Sequence, residues 1–195
     1  MSRAGLAYRL QALTDRLRGL DYLDVVEVEE AGLDPKLAKR SSPTSPWFLR
    51  AVLPELGDVT GRAVLDIGCG KGQAMRVLRS APFRRVDGLE LGPGLVRTAR
   101  ANLRGSAARR SEVFEADACT FDRYGDYDVL YMFNPFPGPV MEQVAAAVQE
   151  QRRGPLTVIY NTPSAEAELL ANLDVTRVSD HPSAGTNRIV VYRRA

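Results

Sequence analysis

Two kinds of apolar pattern alternate along the chain. Short segments rich in apolar residues, typical of buried strands, lie at 62–67, 85–89, 111–116, 127–133 and 156–160. Apolar residues at helical spacing follow them, at 71–80, 95–103, 140–148 and around 169–170. Two last strand-like runs, 173–178 and 187–192, are joined by a polar loop at 179–185 without a helix. The pattern predicts an α/β fold: a doubly wound, mostly parallel seven-stranded sheet with an antiparallel last strand.

The first fifty residues have a different pattern. Leu6, Leu10, Leu13, Leu17 and Leu20 recur at steps of three and four, which predicts an amphipathic helix over residues 4–19. Its apolar face either packs on the flank of the domain or forms a homodimer seam or another partner surface. We therefore divide the chain into a helical N-terminal extension and candidate lid at 1–50 and a main domain at 51–195.

An aromatic pair, Trp47 and Phe48, follows the polar and proline-rich segment 40–46. Two interpretations remain open for this pair. The rings belong to the core and seal an edge of the sheet, or they belong to a lid that covers a ligand and excludes water.

Composition and charge narrow the class of protein. The 195 residues, 45% of them hydrophobic, are enough for one substantial core, and the net charge of +2 gives no strong attraction to polyanions. No apolar run approaches the roughly 20 residues of a membrane span, and no secretory signal is visible at the N-terminus. Cys69 and Cys119 are the only cysteines and lack metal-ligand spacing. We expect a cytoplasmic protein without a structural metal, membrane partner or nucleic-acid partner.

A strand, an acidic residue and three alternating glycines form the segment 64–74, Val-Leu-Asp-Ile-Gly-Cys-Gly-Lys-Gly-Gln-Ala. The dinucleotide fingerprint is G-x-G-x-x-G, whereas the third glycine here comes one residue earlier. Asp66 beside the loop suits a cationic ligand and repels a phosphate. The segment resembles motif I of the class I S-adenosylmethionine-dependent methyltransferases.

Acidic and amide side chains also stand at the ends of the next predicted strands. Asp66, Glu90, Asp117 and Asn134 follow four successive strands, so right-handed crossovers bring them to one edge of the sheet. The resemblance implies S-adenosylmethionine as cofactor, with Glu90 on the ribose hydroxyls and Asp117 on the adenine amino group. It further implies that Leu91 and Ala118 sandwich the adenine. The methionine part is then held by Asp66 and the loop residues Gly68, Cys69, Gly70 and Gly72.

The segment Asn134-Pro135-Phe136-Pro137 indicates which kind of atom receives the methyl group. It resembles the Asn/Asp-Pro-Pro-Tyr/Phe motif of amino-group methyltransferases, in which the Asn side chain and the next carbonyl accept from the target amine. By this resemblance Asn134, Pro135 and Phe136 are the candidate catalytic residues, Asn134 is also expected at the cofactor, and nitrogen is the favoured acceptor atom. The aromatic ring comes one position early here, which leaves open that the segment only forms a rigid floor of the pocket.

Three further residues are candidates for the acceptor pocket or lid. Asn161 and Tyr160 end the fifth predicted strand at the same sheet edge, although Tyr160 also suits the core. His181 is the only histidine and is predicted in the last loop, either as a general base for an oxygen acceptor or as an exposed residue.

The sequence thus favours a methyltransferase that acts on a small-molecule acceptor. Two alternatives remain: methylation of protein or RNA, for which an arginine-rich flank at positions between 76 and 110 is the only signal, and a silent cofactor-binding subunit. The silent subunit would contact its partner through the leucine-striped helix.

Overall fold

The computed structural model describes residues 3–104, 111–182 and 187–195, with side chains from residue 10 onward. Within these residues the chain forms one sheet of seven strands. The strands are β1 (Ala63–Ile67), β2 (Arg85–Glu90), β3 (Val113–Glu115), β4 (Val129–Phe133), β5 (Leu156–Asn161), β6 (Thr176–Pro182) and β7 (Arg188–Arg194). They lie in the order β3-β2-β1-β4-β5-β7-β6.

The predicted sheet is confirmed, including its antiparallel last strand. Strands β1 to β5 are paired in parallel, and β7 runs antiparallel to both β5 and β6. Strand order reverses between β2 and β4 on either side of β1. A crevice forms at such a reversal, beyond the carboxyl ends of the strands, and this is where open α/β sheets bind ligands.

Helices cover both faces of the sheet. They are α1 (Arg3–Leu17), α2 (Pro46–Val52), α3 (Gln73–Leu78), α4 (Pro93–Asn102), α5 (Gly138–Gln151) and α6 (Glu166–Asn172). Successive side chains of β1 point to opposite faces of the sheet, and each face packs with its own set of helices. Leu65 and Ile67 pack with α5 and α6, whereas Val64 packs with α2 to α4. Asp66 has the same parity as Val64 and is almost completely buried.

Two local expectations differ from the structure. Packing of α1 on the flank of the domain, the first of its two interpretations, is not observed for the leucines whose side chains are described: Leu10, Leu13 and Leu17 are 57%, 58% and 81% exposed. Residues 179–182, predicted as loop, instead continue β6, since Ser179 and His181 pair with β7. An edge strand accepts polar residues because little of it is buried, and the partner strand supplies its hydrogen bonds. The rest of the predicted loop, 183–186, lies outside the described residues.

Candidate active site

A cavity that is partly open to solvent lies at the carboxyl edge of β1, β2 and β4. Its walls come from the glycine loop after β1, the ends of the neighbouring strands and the segment 22–44 of the N-terminal extension. Most of the residues expected at the cofactor site line it: Asp66, Gly68, Cys69, Gly70, Glu90, Leu91, Asp117 and Ala118. Gly72 is not among the lining residues. Its backbone has φ 84°, and Ala99 and Leu103 stand beside the position of a Cβ.

Asp66 is a buried carboxyl group that lacks a full set of partners. Its Oδ2 has no hydrogen-bond partner among the described residues, although the side chain is almost wholly buried. Burial, together with the nearby carboxylate of Glu90, raises the pKa of Asp66 to about 8, against an ordinary value of 3.8. Two neighbouring buried carboxyl groups give the cavity an acidic end that favours a cation.

Glu90 fixes the geometry of the loops on either side of it. One carboxylate oxygen accepts from the Gly70 N–H and the other from the Gly92 N–H, each at 2.9 Å. Burial raises the pKa of Glu90, and these amide donors oppose the rise. A carboxylate has about four acceptor positions, so each oxygen retains capacity for one ligand hydroxyl.

The glycine loop uses its amides to hold itself rather than to bind a ligand. Gly68 and Cys69 donate to the Leu89 carbonyl at 2.8 and 3.0 Å, and Gly70 donates to Glu90. The backbone N–H groups of these three residues are therefore already engaged within the protein. The loop instead brings Asp66 and Glu90 together.

Close packing explains why glycine is needed at two of the loop positions. A Cβ on Gly68 would lie 2.8 Å from Cβ of Pro135, and one on Gly70 would lie 2.3 Å from Oγ of Ser41. Both glycines also have positive φ, of 71° and 53°. The loop after β4 and the N-terminal extension thus approach the glycine loop more closely than a side chain would allow.

Replacing Gly68 by alanine is expected to lower the free energy of unfolding by about 2 to 4 kcal/mol, from the left-handed backbone and the contact with Pro135. The matched control is Gly61→Ala, because Gly61 has φ 81° and no atom near its Cβ position. This control should cost only about 1 to 2 kcal/mol. Urea unfolding measures the free energy of unfolding of both variants. Equal decreases in the two variants would show that the contact with Pro135 does not contribute to the loss of stability.

Gln73 is a site residue that the sequence reasoning missed. It is 3% exposed, lines the cavity, and neither polar atom of its amide has a hydrogen-bond partner among the described residues. A buried amide without partners is costly, so the side chain is suited to a ligand that both donates and accepts. Its position directly after the third glycine was the available signal.

The N-terminal extension crosses the cavity as a strap, which we define as residues 20–45. One end is held by Asn102, which accepts from the Asp21 N–H at 2.9 Å and donates to the Asp21 and Lys71 carbonyls. The Tyr22 hydroxyl donates to the Asn102 carbonyl at 2.8 Å. Lys71, in the glycine loop, pairs with Asp21 at 2.6 Å.

Buried polar contacts hold the other end of the strap. The hydroxyls of Thr44 and Tyr131 are 2.8 Å apart, and Asn161 donates to the Tyr131 hydroxyl at 3.3 Å. Burial raises the pKa of Tyr131. Tyr131 lines the cavity on β4, so this cluster connects the strap to the floor of the site.

A single lysine of the strap meets the segment expected to be catalytic. Lys39 donates its ammonium to Oδ1 of Asn134 at 2.8 Å and its backbone N–H to the Pro135 carbonyl at 2.9 Å. Ser164 accepts from the same ammonium at 2.5 Å and is 2.5 Å from Oδ1 of Asn134. Asn134 has φ 43°. Pro135, Phe136 and Lys39 line the cavity, whereas Asn134 stands at its margin beside Ser164.

The opposite end of the cavity has the features expected for a planar ring. Leu91 and Ala118 both line it, and Ala118 is buried. Asp117 also lines it; its Oδ1 accepts from the Cys119 N–H at 2.8 Å, and the side chain is exposed.

The structure places five of the acceptor and lid candidates away from the cavity. Trp47 is 57% exposed on α2, and Phe48 packs beside the core on the same helix. Tyr160 and Asn161 are both buried in β5, the former in the core. His181 lies on β6, 2.7 Å from Glu55. The strap, rather than the aromatic pair, supplies the part of the cavity wall that comes from the N-terminal extension.

Comparison with known proteins agrees with this site. Residues 64–154 match the family model described as a methyltransferase domain. Magnesium protoporphyrin IX methyltransferase of Synechocystis PCC 6803, solved with bound S-adenosylmethionine, superposes with a TM-score of 0.60 at 17% identity, covering 77% of this chain and 78% of that one. The chain is a methyltransferase with S-adenosylmethionine as its cofactor, and its fold is that of the class I S-adenosylmethionine-dependent methyltransferases.

Other solved structures with this fold are described as acting on different acceptors. An RNA methyltransferase of Salinibacter ruber, in complex with S-adenosylhomocysteine, has a TM-score of 0.57 and 21% identity, over 78% of this chain and 92% of that one. Mitomycin 7-O-methyltransferase has a TM-score of 0.57 and 24% identity, over 74% and 54%. A search of curated proteins finds no significant match.

In the described part of the chain, every helix is too short or too polar to cross a bilayer.

Proposed function

We propose that this methyltransferase acts on a nitrogen atom of a small-molecule acceptor and that Asp66, Gln73 and Glu90 hold the cofactor. The observation that carries the cofactor assignment is the group of buried polar atoms at the acidic end of the cavity. Asp66 and Gln73 have atoms without partners there, and Glu90 has acceptor capacity in reserve. Such atoms stabilise a bound ligand because they otherwise stay unsatisfied.

The residues fit the parts of S-adenosylmethionine. When bound, this cofactor supplies an electrophilic methyl group on a cationic sulfur. Asp66 and Gln73 match the ammonium and carboxylate of its amino-acid tail, Glu90 matches the ribose hydroxyls, and Asp117 matches the adenine amino group. Leu91 and Ala118 supply apolar contact for the adenine ring.

The strap favours a small acceptor. It forms one wall of the cavity and is tied down at both ends by Asn102 and Tyr131. Three arginines of the predicted basic flank are engaged within the fold: Arg76 with Asp15, Arg85 with Asp87, and Arg100 with the Val113 carbonyl. Because Arg76 and Arg85 pair with carboxylates and all three side chains are held by the fold, they are less available to a polyanion, which weakens the RNA alternative.

Two hydrogen-bond acceptors at the end of β4 support nitrogen as the atom that receives the methyl group. Oδ1 of Asn134 accepts from the Lys39 ammonium, which supports a position for an amine beside this oxygen, while the neighbouring Pro135 carbonyl accepts from the Lys39 backbone N–H. Both groups are neutral and both accept, so they stabilise a nitrogen that becomes cationic as it is methylated. Holding that nitrogen in line with the reacting methyl group is the main contribution required of the protein.

The test uses the purified chain with S-adenosylmethionine and small acceptors of three kinds: amines, phenols and carboxylic acids. Calorimetry measures cofactor binding, and the formation of S-adenosylhomocysteine measures transfer. We expect binding and amine-dependent turnover. Turnover on phenols or carboxylic acids alone would overturn the nitrogen assignment, and binding without turnover on any acceptor would support the silent subunit.

Replacing Asn134 by alanine is expected to lower the rate of transfer about 100-fold while the dissociation constant of S-adenosylmethionine changes less than about threefold. The reason is that Asn134 stands at the margin of the cavity and positions the acceptor rather than the cofactor. Thr162→Ala is the control, because Thr162 also has a positive φ, of 53°, and does not line the cavity. An equal loss of cofactor binding in Asn134→Ala would contradict this division of roles.

A further inference from the structure

The strap places an amine of the chain itself where the acceptor is proposed to bind. The Lys39 ammonium is 2.8 Å from Oδ1 of Asn134, and its backbone N–H is 2.9 Å from the Pro135 carbonyl. The same side chain lines the cavity that holds Asp66 and Glu90. The ammonium of Lys39 thus makes the contact with Asn134 that is proposed for an acceptor amine, and the backbone N–H of Lys39 fixes the strap beside it.

The position of Lys39 is also distinctive within the chain. The sequence has only three lysines, Lys36, Lys39 and Lys71. Lys36 is exposed and does not line the cavity, and Lys71 is paired with Asp21 beneath the strap. Hydrogen bonds to Asn134 and Ser164 hold Lys39 with no carboxylate in direct contact.

From this geometry we propose that Lys39 is a site of self-methylation, at which the enzyme modifies its own strap when no external acceptor is present. The inference rests on the proposed function, since it uses the same cofactor and the same acceptor position. It adds a modification site and implies that an external amine displaces Lys39 from Asn134.

The step balances without a further reagent. The ammonium first loses a proton to water, and the Nζ lone pair then forms a bond to the methyl carbon of S-adenosylmethionine. The carbon–sulfur bond breaks, and its electron pair stays on sulfur as the neutral thioether of S-adenosylhomocysteine. Partial burial lowers the pKa of Lys39, with the Glu168 carboxylate acting in the opposite direction, so the neutral amine is more accessible than on an exposed lysine.

The experiment incubates the purified chain with S-adenosylmethionine alone and maps methylated peptides by mass spectrometry. We expect methyl groups on Lys39 and none on Lys36 or Lys71, at a rate independent of protein concentration because the reaction is within one chain. Lys39→Arg should abolish the modification, whereas the matched variant Lys36→Arg should leave it unchanged. Asn134→Ala should slow it about 100-fold.

A second measurement does not depend on transfer. Acylation of the free protein by an N-hydroxysuccinimide ester should label Lys39 more slowly than Lys36, and Asn134→Ala should raise the labelling rate of Lys39 towards that of Lys36. Equal labelling of both lysines in the unmodified chain would show that Asn134 does not hold Lys39 and would overturn the inference.

The outcomes separate the two proposals. If cofactor binds and a small amine is methylated but Lys39 stays unmodified in the absence of acceptor, self-methylation is wrong and the proposed function stands. Methylation that spreads to Lys36, or that scales with protein concentration, would also overturn the inference. If cofactor does not bind in calorimetry, the proposed function itself fails.

Discussion

Replacing Glu90 by glutamine should weaken the binding of S-adenosylmethionine about 100-fold. The substitution keeps the volume of the side chain but removes its charge and places an NH2 group where a carboxylate oxygen now accepts from Gly70 or Gly92. A hydrogen bond to a charged group contributes about 1.5 to 3 kcal/mol, roughly twice as much as a neutral one. Weakening both expected contacts with the ribose by about half gives an effect of about 100-fold. Titration calorimetry measures the dissociation constant directly.

The matched control is Glu115→Gln. Glu115 is the register partner of Glu90 on β3 but is exposed, and it does not line the cavity. We expect the control to bind the cofactor as the unmodified chain does. Circular dichroism and urea unfolding establish that both variants fold. A folded Glu90→Gln variant with unchanged affinity would remove Glu90 from the cofactor site.

The second large effect is a dependence of cofactor binding on pH that comes from Asp66. With a pKa of about 8 in the free protein, Asp66 is mostly protonated at neutral pH, and a cationic ligand requires the ionised form. Affinity should therefore rise about tenfold per unit between about pH 6 and pH 8, with proton release on binding. Above about pH 8 the rise ends, because Asp66 is then ionised and the ligand's α-ammonium begins to lose its proton.

The same group makes an opposite prediction for the free protein. Because folding raises the pKa of Asp66 from 3.8 to about 8, its contribution to the free energy of unfolding is fully present below pH 3.8, declines as the pH rises from there, and is lost at about pH 8. Asp66→Asn should flatten both pH profiles, whereas Asp174→Asn, at an exposed site, should change neither. Calorimetry in buffers of different ionisation enthalpy counts the released protons. Unchanged profiles in Asp66→Asn would assign the dependence to Glu90, whose pKa is also raised by burial.

Lys39 gives the two proposals a common test. If it is the resident amine at Asn134, then Lys39→Arg should leave cofactor binding unchanged and abolish self-methylation. Glu90→Gln should weaken cofactor binding about 100-fold and, at cofactor concentrations below saturation, slow self-methylation to the same extent. The two variants therefore distinguish a defect in the acceptor position from one in the cofactor position.

Local pattern was sufficient for the architecture of the chain. Segments rich in apolar residues and apolar residues at helical spacing predicted the order of strands and helices, because each element must bury one of its faces. The right-handed crossover rule then placed Asp66, Glu90 and Asp117 at a common edge, and all three line the cavity. The spacing of the glycines pointed correctly to the cofactor.

Contacts between distant segments decided the rest, because no local pattern encodes them. Glycine is required at positions 68 and 70 because Pro135 and Ser41 pack against them, and these residues are 67 and 29 positions away in the sequence. Trp47 turns to solvent because Leu49 and Val52 occupy the inward face of the same helix. The sequence by itself determined the sheet, the acidic strand ends and the cofactor class, whereas only the tertiary structure brought Gln73 into the cavity and Lys39 onto Asn134. The physical reason is that burial and pairing across long separations depend on the path of the strap, which its polar sequence leaves undetermined.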